Sequence, residues 1–139
     1  MATQVCDVMT RSPVAVAPQT PVIEAAQRMR DENIGAVLVT EGDELQGLVT
    51  DRDLAVRVLA EGGDIAHKTV QDACSADLVA VRPDDDIDQA IQLMRDKAIR
   101  RLPVVEGGQP VGIISLGDLA LERDPHSALG DISDAEPNR

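Results

Sequence analysis

The sequence predicts a mixed α/β fold of the α+β type, built from two tandem β-α-β-β-α repeats. Two observations carry this prediction. Shifting the chain by 65 residues aligns it with itself without a gap, and about 19 of roughly 51 paired positions are identical. Within each copy, short apolar runs alternate with segments whose apolar residues recur at helical spacing. The chain is therefore expected to be an internal duplication.

Each copy opens with a short strand and then a helix. Apolar runs that end before a proline predict strands at 14–16 and 79–81. Thr20 is the expected N-cap of the first helix and Pro21 its first helical residue, and Asp85 is the expected cap in the second copy. The apolar stripes of these helices are Val22, Ala25, Ala26 and Met29 in the first copy and Ile87, Ala90, Ile91 and Met94 in the second.

A hairpin and a second helix complete each copy. Residues 36–40 and 46–50 have strand-like composition, as do their counterparts 65 residues later. A short Glu-Gly turn separates the two strands, so each pair is expected to be an antiparallel hairpin. The second helix is expected to begin at Asp51 in the first copy, where it runs to the glycines at Gly62, and at Leu116 in the second.

These elements predict three regions: repeat 1 over residues 1–63, repeat 2 over 64–123, and a flexible acidic tail over 124–139. A unit of this size cannot cover its own sheet face, so the repeats are expected to pack around a pseudo-twofold axis with paired clefts between them. Apolar helix faces left at the edges predict a homodimer. The stripe that suggests it is Leu54, Ala55, Val58 and Leu59.

The charge balance excludes several partners. With 25 acidic against 13 basic residues, the net charge of −12 argues against nucleic acid and against an anionic membrane surface. No run is long enough to span a membrane and no leader is recognisable, which favours a cytoplasmic protein. Because Phe, Tyr and Trp are absent, a planar ligand would be held by aliphatic side chains and backbone.

The cysteines and histidines predict no metal site. Cys6 and Cys74 are not repeat-equivalent and are too few for a secreted disulfide framework, so buried thiols are expected, with a regulatory disulfide as the alternative. His67 and His126 stand alone in polar segments and do not form a zinc pattern.

Two matched motifs are the strongest candidates for function. Gly-h-h-Thr50-x-x-Asp53 and Gly-h-h-Ser115-x-x-Asp118 place a hydroxyl at a strand end and a carboxylate at a helix start, where h is apolar. This spacing is related to the capping box, so a purely structural role is one interpretation. The other is that the junction holds an anion, while the carboxylate accepts hydrogen bonds from vicinal hydroxyls. The spacing alone leaves both open.

With the repeats aligned, the chain resembles the CBS-domain family (cystathionine-β-synthase-type domains) over residues 5 to about 122. The resemblance rests on "VCDVMT" at 5–10, "IRRLPVV" at 99–105 and both Gly-h-h-Ser/Thr-x-x-Asp motifs. It implies a regulatory pair that binds an adenosine-containing ligand such as AMP, ADP, ATP, S-adenosylmethionine or NAD. It also implies that the motif Asp holds the ribose hydroxyls and that the Ser or Thr lies by the ribose or phosphate.

The resemblance further implies two clefts whose residues come from both repeats. In the first cleft, the base would be surrounded by Thr10, Val14, Ala15 and Ile34, and the ribose and phosphate would be held by Arg100, Arg101, Ser115 and Asp118. In the second cleft, the base would be surrounded by Ser75, Val79, Ala80 and Ile99, and the motif residues would be Thr50 and Asp53, with Arg52 as the nearby cation. Arg100 and Arg101 would face the phosphate, but their counterparts Gly35 and Ala36 are uncharged. The two clefts are therefore expected to differ in anion affinity. A solvated strand edge or local ion pairs are the alternative role for the arginines.

Three functional classes follow. The preferred one is a regulatory module, such as an energy sensor, that binds an adenine nucleotide or S-adenosylmethionine and signals to an unknown effector protein or through assembly. The alternative is a dimerisation or protein-interaction module with degenerate, empty clefts. An enzyme is not expected, because neither motif carries a His, Cys or Lys to act as nucleophile or base, and no Gly-rich phosphate loop is present. No catalytic cofactor is expected either.

Overall fold

The structure, a computed structural model, describes residues 3–74, 78–123 and 132. The chain divides into two compact units. The continuous unit is Pro13–Leu78, and the split unit combines Met1–Ser12 with Val79–Arg139. Apart from Ile132, the predicted flexible tail lies outside the residues described here.

Short and long helices alternate with short strands along the chain. The α-helices are α1 (Val5–Val8), α2 (Val22–Glu32), α3 (Asp51–Asp53), α4 (Val70–Ala73), α5 (Ile87–Lys97) and α6 (Leu116–Arg123). The strands are β1 (Thr10–Arg11), β2 (Ala15–Val16), β3 (Ala36–Glu41), β4 (Glu44–Thr50), β5 (Arg101–Glu106) and β6 (Gln109–Ser115). A π-helical segment (Leu54–Leu59) continues α3, and a 3₁₀ turn (Ile65–His67) precedes α4. The predicted mixed α+β fold with two repeats is confirmed.

Each unit contains a three-stranded sheet. In the continuous unit the order is β2-β3-β4, with β2 parallel and β4 antiparallel to β3. In the split unit the order is β1-β6-β5, and both neighbouring pairs are antiparallel. Both predicted hairpins are therefore present. The strand predicted at 79–81 is reduced to a parallel bridge between Val81 and Val104.

The units do not follow the repeats from end to end, because each entrance helix, α1 in the first copy and α4 in the second, packs into the other copy's core. The N–H of Val5 in α1 donates to the carbonyl oxygen of Asp85 at 2.8 Å. At the equivalent position, the N–H of Val70 in α4 donates to the carbonyl oxygen of Thr20 at 2.9 Å. The two copies thus exchange their entrance segments, and each compact unit combines segments of both copies.

Each unit has its own aliphatic core. Val5 and Val70, the first residues of the entrance helices, are completely buried. The core of the continuous unit consists of Val16, Val22, Ala25, Met29, Val37, Val39, Val49, Val58, Val70 and Ala73. The core of the split unit consists of Val5, Val81, Ile87, Ala90, Met94, Leu102, Val104, Ile114 and Leu119. Burying the entrance helices therefore ties each copy to the other copy's core.

Two predicted helix starts are wrong by one residue. The N-cap of α5 is Asp86, whose side chain accepts the N–H of Asp88 at 2.9 Å, while Asp85 accepts the N–H of Arg82 at 2.9 Å in the preceding turn. In the first copy the cap is Pro21, because Thr20 is held in the loop by its bond from Val70.

The apolar stripe proposed to pair two chains is only partly available. Val58 is buried and Leu54 packs against the core of the continuous unit. Leu59 is 63% exposed and Val56 is 48% exposed, and Ala55 is also exposed. Half of the predicted stripe therefore serves the chain's own core.

Ala26, which was predicted to face the core from α2, is exposed.

Candidate functional site

Each Gly-h-h-Ser/Thr-x-x-Asp motif forms the junction between a hairpin strand and the following helix. In the split unit the N–H of Ser115 donates to Oδ2 of Asp118 at 2.9 Å, and the N–H of Asp118 donates to Oγ of Ser115 at 3.1 Å. In the continuous unit the N–H of Thr50 donates to Oδ2 of Asp53 at 2.8 Å, and the N–H of Asp53 donates to Oγ1 of Thr50 at 3.1 Å. Both motifs are thus reciprocal helix caps.

In each unit, a backbone hydrogen bond links the first residue of the helix after the motif to the residue that precedes the first strand of the hairpin. In the split unit the N–H of Leu116 donates to the carbonyl oxygen of Arg100 at 2.8 Å. Arg101 is the register partner of Ser115 across β5 and β6. The sheet therefore brings Arg100 and Arg101 next to the Ser115–Asp118 cap. Arg100 is exposed and Arg101 is half-buried.

The entrance strand β1 adds a predicted residue to the same neighbourhood. Thr10 pairs with Ile113, two residues before Ser115, and is exposed. The approach is close, because a Cβ on Gly112 would lie 2.6 Å from Sδ of Met9 and 2.8 Å from the carbonyl oxygen of Thr10. Only glycine at this position lets β1 lie against β6. The split unit thus gathers Thr10, Arg100, Arg101, Ser115 and Asp118.

The cap leaves two polar groups of the split-unit motif without a partner among the described residues. Oδ2 of Asp118 is used by Ser115, but Oδ1 accepts no hydrogen bond there. The N–H of Gly117, the second residue of α6, likewise has no acceptor in that part of the chain. Sequence reasoning missed Gly117, although a glycine at the second helical position was visible in the motif.

The continuous-unit motif uses the equivalent groups internally. Oδ1 of Asp53 lies 3.5 Å from Nε of Arg57, one helical turn further on. The N–H of Arg52 donates to Oδ1 of Asp51 at 2.8 Å. The two motifs therefore share a cap but differ in what remains available for a ligand. Sequence reasoning missed Arg57, although its spacing of four residues from Asp53 is the usual spacing of a helical ion pair.

The residues predicted to surround a base have mixed exposure. Val14 and Ile34 are partly buried against the core of the continuous unit, whereas Ala15 is exposed. Their counterparts in the split unit behave in the same way: Val79 and Ile99 pack against its core and Ala80 is exposed. Ser75 lies outside the described residues.

Cys74 lies beside the Asp53 motif rather than in a metal cluster. Burial raises the pKa of its thiol, and a backbone hydrogen bond with Leu48 opposes that shift. The charges of Asp53 and Arg57 act on the same thiol in opposite directions. Where the structure describes the chain, no group of three or more His, Cys, Asp or Glu side chains is arranged to hold a metal ion.

None of the helices seen within residues 3–74 and 78–123 has the length and apolarity to cross a membrane.

Known proteins resemble this chain over most of its length. The CBS domain family model matches twice, at residues 5–60 and 70–123. The CBS domain-containing protein YhcV of Bacillus subtilis is 40% identical over 124 residues, which is 89% of this chain and 88% of that protein. Its name describes a domain rather than an enzymatic activity.

Solved structures show the same fold. A putative signal-transduction protein with CBS domains from Burkholderia ambifaria is 30% identical with a TM-score of 0.82, covering 90% of this chain and 96% of that one. Hypoxic Response Protein I, described with two coordinated zinc ions, is 30% identical with a TM-score of 0.77, covering 85% of this chain and 97% of that one.

A third structure shows likeness of fold alone, at 22% identity and a TM-score of 0.78, covering 86% of this chain and 94% of that one. It is the CBS domain pair of protein MJ0100 in complex with 5-methylthioadenosine and S-adenosyl-L-methionine. Each family match includes one of the two capped motifs. The chain therefore belongs to the CBS-domain family and carries two CBS domains in tandem.

Proposed function

We propose that this chain is a cytoplasmic regulatory module that binds an adenosine-containing ligand, of the AMP, ADP, ATP or S-adenosylmethionine class, through the Ser115–Asp118 motif. One observation carries the proposal. Within the described residues, Oδ1 of Asp118 and the N–H of Gly117 remain unengaged after the helix cap is complete. The same motif therefore keeps one anionic acceptor and one backbone donor available.

The chemistry of these groups fits a phosphorylated nucleoside. A carboxylate oxygen accepts hydrogen bonds from the vicinal hydroxyls of a ribose, and such charge-assisted bonds are stronger than neutral ones. A backbone N–H at a helix start favours an anion. Arg100 and Arg101 lie at the start of the neighbouring strand and supply positive charge in a chain of net charge −12.

The base would be held without aromatic stacking, because the chain contains no Phe, Tyr or Trp. Backbone groups and small aliphatic side chains are then the available contacts. The residues assigned to the base in this proposal remain Thr10, Val14, Ala15 and Ile34. The weaker, pseudo-equivalent site would use Thr50, Arg52, Asp53, Ser75, Val79, Ala80 and Ile99.

The CBS pair of MJ0100 supports the general idea, since it is described in complex with two adenosyl compounds and has the same fold. Hypoxic Response Protein I is described with two coordinated zinc ions, but we do not propose a zinc site for this chain. The donor groups that zinc prefers are not clustered in the part of this chain that is described.

Binding without catalysis is part of the proposal. Neither Thr50–Asp53 nor Ser115–Asp118 includes a His, Cys or Lys that could serve as nucleophile or general base. The carboxylates of both motifs are committed to capping through one oxygen. The bound state would then be read by an effector protein or by a change of assembly.

The second candidate function, a dimerisation module with empty clefts, is favoured by one observation. Leu59 and Val56 are 63% and 48% exposed on the π-helical segment of the continuous unit. Covering these side chains with a second copy would remove apolar surface from water. We expect sedimentation equilibrium at tens of micromolar to show a homodimer. Monomer alone would remove this part of the proposal and leave ligand binding untouched.

The near-ultraviolet spectrum of the purified protein separates the two candidates. Without aromatic side chains the protein absorbs almost nothing near 260 nm, so a co-purified adenine compound would dominate the spectrum. The proposal predicts an adenine band, and mass spectrometry of the released ligand would identify an adenosyl compound. A protein without such a band that also binds none of the four ligand types in titration would favour the empty module.

A further inference from the structure

The two motifs differ at the carboxylate oxygen that the cap does not use. In the continuous unit, Nε of Arg57 lies 3.5 Å from Oδ1 of Asp53. The Asp53 side chain is 19% exposed and the Arg57 side chain 51% exposed, so the guanidinium covers a carboxylate that is itself largely sheltered. In the split unit, Oδ1 of Asp118 has no such partner among the residues described.

The repeat explains the difference residue by residue. The counterpart of Arg57 is Glu122, whose Oε1 accepts a hydrogen bond from the hydroxyl of Thr3 at 3.3 Å. Arg123, the one basic residue of α6, pairs with Asp88 on α5. No basic side chain of α6 is therefore directed to Asp118.

The second difference concerns the helix-start N–H groups. The side chain of Asp51 accepts the N–H of Arg52 at 2.8 Å. The counterpart of Asp51 in the split unit is Leu116, whose side chain has no acceptor for the N–H of Gly117. The copies thus differ at the positions of Asp51 and Arg57, and these two residues supply the partners for the helix-start N–H and for the second carboxylate oxygen in the continuous unit.

We infer that Arg57 is a specificity-determining residue: it occupies the Asp53 oxygen to which a ribose would bind, so that the chain directs its nucleoside ligand to the Asp118 motif. The inference rests on the function proposed above for the Asp118 motif. It deepens that function by assigning one preferred site per chain and by naming the side chain that sets the preference. The ligand class is a nucleoside with free 2′ and 3′ hydroxyls.

A competing cause of asymmetry is the absence of arginines from the continuous-unit strand, where Gly35 and Ala36 replace Arg100 and Arg101. That cause acts on the phosphate. Adenosine has no phosphate, so any preference it shows between the motifs is independent of charge on that group. Adenosine is therefore the probe that isolates the effect of Arg57.

The test is equilibrium dialysis with adenosine, read by absorbance near 260 nm, where this protein is nearly transparent. In an Asp118→Asn background only the Asp53 motif keeps its carboxylate. Adding Arg57→Ala there leaves no donor at this position and should tighten adenosine binding by roughly five-fold, the upper range for a surface ion pair that the ligand no longer has to displace.

The mirror experiment places a cation beside Asp118. Glu122→Arg in the parent should weaken adenosine binding by roughly five-fold, because the new side chain competes for Oδ1 at the same helical spacing. Glu122→Gln is the matched control, since it keeps an acceptor for Thr3 and adds no cation, and it should bind as the parent does.

Each outcome is decisive. If the parent binds adenosine while Arg57→Ala has no effect in the Asp118→Asn background, Arg57 does not set the preference and the inference is overturned alone. Equal affinity at both sites of the parent would overturn it too. If the parent binds neither adenosine nor AMP, the proposed function fails and the inference fails with it.

Discussion

The backbone N–H of Val5 donates to the carbonyl oxygen of Asp85 at 2.8 Å, which joins the first residues of the chain to the second repeat. The bond from Val70 to Thr20 at 2.9 Å repeats the arrangement in the opposite direction. Each copy therefore completes the other copy's core. A change at an entrance helix should be felt most in the unit where that helix is packed.

A pair of matched substitutions tests this exchange. Val5→Ala and Val70→Ala each remove a completely buried side chain, and each should lower the free energy of unfolding by about 2 kcal/mol. Hydrogen exchange should show lost protection in β5 and β6 for Val5→Ala, and in β3 and β4 for Val70→Ala. If Val5→Ala loosened β3 and β4 first, the exchanged packing would be wrong.

Gly112→Ala should destabilise the split unit through a steric clash. The new Cβ would lie 2.6 Å from Sδ of Met9 and 2.8 Å from the carbonyl oxygen of Thr10, so β1 would have to move away from β6. We expect a loss of about 1–3 kcal/mol, measured by urea denaturation.

Combining Gly112→Ala with Met9→Ala separates the two contacts. The side-chain clash disappears in the double variant but the clash with the Thr10 backbone remains, so stability should not return. Full recovery would show that β1 itself is not held at this distance.

Arg100 and Arg101 should matter for phosphate and little for the nucleoside. Arg100 precedes β5 and Arg101 is its first residue, so both lie at the start of the strand that is paired with Ser115. Changing both to Ala should weaken AMP binding by roughly 10- to 100-fold, the worth of one or two charge-assisted bonds. Adenosine should bind almost unchanged in calorimetric titration. Equal weakening of both ligands would withdraw the phosphate assignment.

The thiol of Cys74 should react slowly at neutral pH. Burial raises its pKa above the ordinary value of 9.0, so the folded protein holds less of the reactive thiolate than the unfolded chain does. In a Cys6→Ser variant, the rate with a disulfide reagent should rise with pH at a higher midpoint in buffer than in concentrated urea. By linkage, the same shift makes the folded state lose stability as pH rises through the folded pKa. Identical pH profiles in buffer and urea would contradict the burial.

Much of the fold could be predicted from the sequence because both copies repeat the same local patterns. The hairpins begin at Ala36 and Arg101, where the apolar composition predicts them. The second helices begin at Asp51 and Leu116, where the motif spacing predicts them. The exchanged entrance helices could not be predicted, since a constant offset aligns the copies along the chain without saying which sheet each segment joins. The start of α4 itself does have a local sequence signal, because Thr69 and Asp72 form a capping box there.

The residue types of the candidate site could be predicted from the sequence, but which of their polar atoms remain available for a ligand could not. The Ser/Thr-x-x-Asp spacing predicts a cap or a ligand site, and the structure shows the cap in both copies. Whether the second carboxylate oxygen stays available depends on one residue a turn away, Arg57 or Glu122, and that comparison requires the helix to be in place. The off-by-one caps at Thr20 and Asp85 have a similar cause, because neighbouring polar residues compete for the same helix start.

The central claim is that Asp118 is a ligand residue as well as a helix cap, and two substitutions separate these roles. Asp118→Asn keeps an oxygen that can accept the N–H of Ser115, so the cap should survive with little loss of stability. The amide would present a donor where the ribose hydroxyls need an acceptor. Asp118→Ala removes both functions and should also cost about 1 kcal/mol of stability.

Calorimetric titration with AMP of the parent and Asp118→Asn, beside their urea denaturation curves, is the most direct measurement. Loss of hydrogen bonds to a charged acceptor is worth roughly 1.5–3 kcal/mol, so we expect AMP binding to weaken by roughly 10- to 150-fold in Asp118→Asn while stability stays close to that of the parent. Unchanged AMP affinity in Asp118→Asn would show that the carboxylate serves the helix alone, and the proposed ligand site would be contradicted.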